Sequence, residues 1–358
     1  MDNFFAFVKI LANIQFAIVV ILILLAYSVK IYFYYKMKYR IKMQQQLRVL
    51  LLNCQEGIIE LSPKLYRLFC KDMYFIVNIL NESNNIRFCQ YILHDLLLPQ
   101  ARKSALAKQW IKRYLYCYVL SSYVNQRDKM VDQNAVLISA ADEIILYNLI
   151  DDPRPLIAIN AAKLALQCAS QKLVNHVIEV GSAGRRVQQE FYAHISIGAQ
   201  QGTGALIMQR LQYEPEPYVR IFCYRLLNQL PYYEENTAML QMDLASDHLD
   251  LQLTVLAYCQ YIHYSELHQC LLILLKDPRW EIRARAVKLL GTEANMKFIQ
   301  EIELSLRDSV WWVRINAAEA LAKLGEAGVV ILKKQNSDED QYAYDAASLV
   351  LSTLMNKS

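Results

Sequence analysis

The stretch DPRWEIRARAVKLLG, Asp277 to Gly291, returns 31 residues later as DSVWWVRINAAEALAKLG, Asp308 to Gly325. Asp277 falls on Asp308, Trp280 on Trp311, Ile282 on Val313 and Arg283 on Arg314. Each copy opens with an aspartate and a turn residue, continues with a β-branched residue followed by arginine, and closes in a run rich in alanine and leucine. Ile282, Ala286 and Leu290 stand at i, i+4 and i+8, and so do Val313, Ala317 and Leu321. That spacing predicts a helix burying one stripe. Alanine in the stripe lets neighbouring helices approach closely.

Upstream and downstream the same interval persists. With the arginine as a mark, the equivalent residues are Ala158, Gln188, Arg220, Gln252, Arg283, Arg314 and Ala343, separated by 30, 32, 32, 31, 31 and 29 positions. A turn precedes each mark: Asp151-Asp152-Pro153, Gly181-Ser182-Ala183-Gly184, Glu214-Pro215-Glu216-Pro217, Asp247-His248, Asp277-Pro278, Asp308-Ser309 and Ser337-Asp338. A regular interval with turn chemistry at constant phase marks a stack of helix pairs, because one pair cannot bury its own apolar face. The turn Asp or Ser is expected to cap the second helix of each pair, with proline in the first turn, where no N–H is needed. These residues resemble the HEAT repeat, in its phycobilin-lyase-like variety. The resemblance implies an all-α, HEAT-type α-solenoid, a right-handed superhelix of helix pairs.

Composition agrees with helices. Glycine and proline number only 9 and 8 in 358 residues, too few for the turns of a sandwich or barrel. The +4 formal charge is local. Lys9, Lys30, Lys36, Lys38, Arg40, Lys42 and Arg48 lie before position 50, where Asp2 is the one acidic residue. Without these, 31 basic residues face 33 acidic ones. A near-neutral body argues against nucleic acid as a partner.

The basic residues flank an apolar segment. Ile10–Val29 is 20 residues without a charge, and a helix of that length spans about 30 Å, the thickness of bilayer hydrocarbon. Lys30, Lys36, Lys38, Arg40 and Lys42 follow, interleaved with Tyr32, Phe33, Tyr34, Tyr35 and Tyr39, an aromatic belt merged with a basic arm. A cleaved signal peptide and a buried solenoid helix are the competing readings, but signal peptides carry their charge before the apolar segment, not after it. The expected membrane-interface residues are Lys30, Tyr32, Tyr34, Tyr35, Lys36, Lys38, Arg40 and Lys42. The basic flank places the N-terminus outside and the body in the cytoplasm. The eight cysteines agree with a reducing compartment: none forms a CxxC pair, and most lie in apolar helical runs.

The expected organisation is therefore a span over residues 1–29, a basic arm over 30–42, a helical cap or diverged repeats over 43–135, and repeats over 136–358. In the cap, helices are expected over Leu47–Ile58, Tyr66–Leu80, Ile86–Leu98 and Ala101–Val124, the last two split at Pro99.

The sequence carries no constellation for catalysis, no cofactor loop and no metal set. The six histidines are scattered, and none is followed by the glutamate that iron-binding HEAT-like hydroxylases pair with histidine. What remains is a protein-binding scaffold, with a lyase acting on a bound chromophore or peptide as the alternative that the resemblance implies. Candidate partner-binding residues are Trp280, Trp311, Trp312, Arg220, Arg283 and Arg314. Trp280 and Trp311 stand in the first turn of successive second helices, where the stripe predicts exposure; tandem exposed tryptophan points to a covering partner or to packing across the next turn. The arginines read as a basic stripe for an acidic partner, or as hydrogen-bond donors that lock each turn to its neighbour. The tyrosine runs Tyr114–Tyr118, Tyr232-Tyr233 and Tyr258–Tyr264 are expected in the core. A short arm keeps the body near the bilayer, so the expected partner is itself membrane-associated. Resemblance to membrane-tied bacterial HEAT proteins points to a polysaccharide-making glycosyltransferase.

Overall fold

The computed structural model describes residues 2–53, 73–81, 86–127, 138–184, 199, 201–230, 236–261, 267–292 and 296–355. Among these residues every regular element is a helix, and the chain divides into two compact units, residues 1–135 and 136–358.

The first unit begins with a single helix, Asp2–Asn53, of 52 residues. At 1.5 Å per residue it is about 78 Å long. No glycine or proline precedes Gly57, so nothing local interrupts it. The apolar segment, the basic arm and the start of the next segment thus form one rod, with no break at position 29 or 42. Gln15–Gln46 includes a window long and apolar enough to cross a membrane, and none of that window is buried. Burial starts further along, where Met43 is enclosed and the Arg40 guanidinium lies 5.2 Å from the centre of the Phe75 ring.

Helices Met73–Asn81 and Trp110–Arg127 pack together through Ile76, Val77 and Leu80 on one and Tyr116, Val119 and Leu120 on the other. Asn81 donates to Ser122 Oγ at 3.1 Å and the buried Gln126 amide donates to the Leu80 carbonyl at 3.2 Å, tying the two helices together. Between the two helices Pro99 does not end a helix, contrary to expectation. The chain passes from Ile86–Tyr91 through a π-helical stretch, Ile92–Leu97, into Leu98–Lys103. The Leu98 N–H reaches back five residues to the Leu93 carbonyl. This wider turn makes room for a ring that would otherwise strike the carbonyl four residues back. The break falls instead at Ser104–Gln109. The expected helix over Leu47–Ile58 is the end of the long rod as far as Asn53; its remainder and most of Tyr66–Met73 lie outside the described residues, as do Cys54 and Cys70.

The second unit is a ladder of helix pairs. The second helices are Pro155–Gln167, Pro217–Leu227, Leu249–Tyr258, Trp280–Thr292, Trp311–Lys323 and Gln341–Met355. Each of the first five carries its mark residue as its fourth residue, and the last carries Ala343 as its third. Gln188 itself lies outside the described residues. The predicted stripe is buried: Ile282, Ala286, Leu290, Val313, Ala317 and Leu321 are all in the core. The buried band is wider than a stripe, however, and includes Ala284, Val287, Leu289, Ala318 and Ala320. The reason is the number of neighbours. Trp280–Thr292 packs on its own first helix, His268–Leu274, and on the second helices before and after it. At the closest approach a Cβ on Gly291 would stand 2.3 Å from the Ala320 Cβ, so these backbones nearly touch.

The turn chemistry differs from expectation in one respect. Asp277 accepts from the Arg279 N–H at 2.8 Å, and Asp308 from the Val310 N–H at 2.9 Å. Both helices start at the following residue. The aspartates therefore close Asx-type turns just before the helix rather than capping it. Pro155 and Pro217 do occupy the first helical position.

Candidate interaction surface

Four of the mark residues, Arg220, Gln252, Arg283 and Arg314, tie one repeat to the next. Arg283 donates through Nη1 to the Asp277 and Pro278 carbonyls of its own turn, at 2.9 and 3.1 Å. Through Nε and Nη2 it grips both oxygens of Asp308 in the following turn, at 2.7 and 2.9 Å. Arg220 repeats the arrangement with the Leu211 and Glu214 carbonyls behind it and the Asp243 carboxylate ahead, at 2.6–2.8 Å. Gln252 does the same work without a charge: its amide donates to the Leu244 carbonyl at 2.7 Å and its oxygen accepts from Arg279 at 2.6 Å. Arg314 holds the Asp308 and Ser309 carbonyls at 2.7 and 3.0 Å. Its forward partner is an aromatic face, the Tyr342 ring at 5.0 Å, and the Trp311 ring lies 5.7 Å away.

Electrostatics follow from these ties. Hydrogen bonds from the Arg279 side chain hold Asp277 below the usual carboxylate range. Burial pushes Asp308 upward, but its bonds from Arg283 and Val310 outweigh that and keep it low. Burial and the Asp243 carboxylate raise the Tyr224 phenol, which donates to Asp243 at 2.5 Å. Burial also pushes the Cys223 thiol up to about 12, so it is no nucleophile at neutral pH.

The arginines are therefore turned inward. Arg220 and Arg314 are 4% and 6% exposed, and Arg283 is engaged at both ends of its fork. No basic stripe of these three faces solvent; the locking role is the one the geometry assigns. The tryptophans are placed differently. Trp280 and Trp311 are 37% and 36% exposed and Trp312 is 59% exposed. The Trp311 ring lies against the Arg314 guanidinium and is otherwise partly exposed.

The structure adds aromatic residues not named as candidates beforehand. Tyr342 stands 31 positions after Trp311 and continues the edge into the next repeat, well exposed. Exposed Tyr218 holds the second position of an earlier second helix, edge-on to His248 at 5.1 Å. The 31-residue offset that joins Trp280 to Trp311 finds Tyr342 directly. Of the predicted core tyrosines, Tyr116 and Tyr258 are buried, whereas Tyr232, Tyr233 and Tyr264 lie outside the described residues. No group of three or more His, Cys, Asp or Glu able to hold a metal occurs among the described residues.

The residues expected at a membrane interface stand on the long helix as mostly exposed aromatic and basic side chains. Tyr32, Tyr34 and Tyr35 are exposed, with Lys30, Lys38 and Lys42. Lys36 lies over the Tyr32 ring at 5.7 Å, and Arg40 is half-buried against Phe75.

A family model for HEAT repeats matches residues 269–352. That stretch holds the three most C-terminal second helices, and the described helix pairs before residue 269 in the second unit continue the same ladder, so the fold there is an α-solenoid. No curated relative matches its sequence. Among solved structures, it is similar to YibA of Escherichia coli at 13% identity and a TM-score of 0.38, covering 82% of this chain and 99% of that one. It is similar to human deoxyhypusine hydroxylase at 13% identity and a TM-score of 0.31, covering 71% and 94%. An engineered protein matches at 13% identity and a TM-score of 0.33, covering 81% and 91%. At such scores none of these likenesses carries an argument about activity.

Proposed function

We propose that this protein is a membrane-anchored scaffold whose solenoid presents an aromatic edge to a protein partner. The observation that carries the reading is the row Trp280, Trp311, Trp312 and Tyr342, exposed on successive repeats whose turns are locked together. Tryptophan and tyrosine are the residues that dominate binding energy at protein interfaces, and rigid turns hold them at little entropic cost. The long apolar helix supports anchoring through residues 10–29, with the solenoid on the cytoplasmic side. A rod without a hinge keeps the first unit near the bilayer, which favours a partner that is itself membrane-associated. A polysaccharide-making glycosyltransferase is the partner class that the resemblance adds.

The test is capture of the partner from mild detergent by full-length protein, with Trp312→Ala and the double variant Trp280→Ala, Trp311→Ala beside it. Loss of capture with an unchanged melting temperature is the expected result. If the rings instead serve the fold, their removal lowers stability by about 3–5 kcal/mol and the melting temperature drops in parallel. Capture that survives in both variants would remove this edge from the function.

A further inference from the structure

A second patch, in the first unit, combines the same two kinds of side chain as the membrane arm. From Leu96 to Arg127 there is no acidic residue, while Arg102, Lys103, Lys108, Lys112, Arg113 and Arg127 are basic. The turn between Leu98–Lys103 and Trp110–Arg127 projects Leu106 and Ile111, each more than half exposed, with Trp110 beside them. Lys103, Lys108 and Lys112 are exposed around these apolar groups, and no ion pair to any of them is present among the described residues. The turn is built rather than loose. Arg113 donates to the Ala107 and Lys108 carbonyls at 2.8 and 2.9 Å, and Ala101 and Ala105 are buried beneath.

Ring contacts link the helix that follows this turn to the long one. Tyr114 stacks on Tyr118, Tyr118 stacks on Tyr74, and the neighbouring Phe75 lies under Arg40. Arg40 is 11 residues beyond Val29, or about 17 Å along the helix axis. We propose that the turn Lys103–Lys112 is a second membrane contact. Leu106, Trp110 and Ile111 enter the interfacial zone of an anionic bilayer, and the three lysines meet its phosphates. Three exposed lysines without an ion pair among the described residues, set around exposed apolar side chains in a unit that carries the apolar helix, fit an anionic lipid surface better than a protein partner. This inference rests on the anchor reading, and adds that the first unit lies against the bilayer rather than standing off it.

Trp110 is the probe, being the one tryptophan outside the solenoid. Full-length chain is reconstituted into vesicles of phosphatidylcholine with or without phosphatidylglycerol, each containing brominated phosphatidylcholine. The Trp110 signal is the difference between wild type and Trp110→Phe. Expected is strong bromine quenching of that signal with phosphatidylglycerol present, and loss of most of it without the anionic lipid. The triple variant Lys103→Glu, Lys108→Glu, Lys112→Glu should lose it too while still floating with the vesicles and keeping its circular dichroism. A wild-type chain that floats with Trp110 unquenched, or quenching indifferent to lipid charge, overturns the second contact and spares the anchor. A chain that does not float overturns the anchor reading and this inference with it.

Discussion

Asp243 shows how much one side chain carries here. It accepts from Arg220 through both oxygens and from Tyr224, all three side chains being buried. Removing one partner of a buried pair strands the other, which costs about 3–5 kcal/mol. Asp243→Ala should therefore lower stability by that amount in chemical denaturation. Asp243→Leu combined with Arg220→Met should recover much of it, because no unpaired charge remains. Gly291 makes a second residue-scale case. Its missing Cβ is filled by Ala320, so Gly291→Ala should cost about 1–3 kcal/mol through forced separation of two helices. Gly202 is the control: a Cβ there meets only the Ala169 Cβ at 3.8 Å, and Gly202→Ala should be neutral or slightly stabilising. Equal melting temperatures for the two glycine variants would contradict the close approach. The buried face of each helix was legible from the alanine spacing. The glycine contact was not, since Gly291 reads equally well as a helix-ending glycine.

Between elements, the tie from Arg283 to Asp308 is the unit of repeat coupling. The carboxyls of Asp277 and Asp308 both titrate lower in the folded protein than in the unfolded chain. Their contribution is complete above the unfolded value, near pH 4, and is lost as pH falls through the folded value. The solenoid should thus lose stability below about pH 4. Asp308→Asn keeps the Asx turn, because an amide oxygen still accepts from Val310, but it gives up the charged pair. It should cost about 1.5–3 kcal/mol at pH 7 and show a flatter decline between pH 4 and pH 2 than wild type. Urea denaturation at pH 7 and pH 3 measures both. Parallel declines would mean that other carboxylates drive acid unfolding. The mark position was visible as a column of equivalent residues, yet glutamine at 252 and arginine at 283 looked unrelated. Both make the same connection, Gln252 borrowing its guanidinium from Arg279.

For the whole molecule, the anchor reading predicts that the chain stays with membranes after high-salt and alkaline washing. A C-terminal alkaline phosphatase fusion should be inactive, because the basic flank holds the body inside. Replacing Lys30, Lys36, Lys38 and Lys42 by glutamine should raise that activity by weakening the bias that sets orientation. A fully active wild-type fusion would reverse the topology, and a mature chain starting near Val29 would replace the anchor with a cleaved signal.

Local pattern determined the helical character of this protein, the interval of its repeats and the residues that start each inward face. Those features depend on bonds and side chains within one or two turns, and periodicity records them. What the tertiary structure decided depends on neighbours. Each second helix touches helices on several sides, so its buried band is broader than its sequence stripe. Arg220 and Arg283 point inward because an aspartate of the next repeat waits within reach, a fact no single repeat contains. Trp280 and Trp311 stay about one-third exposed, a degree of cover that depends on neighbouring side chains rather than on the repeat's own pattern. Helicity through Pro99 required a π turn that no propensity scale registers, since its stabilisation comes from packing Ile92, Leu93 and Leu97 in the core.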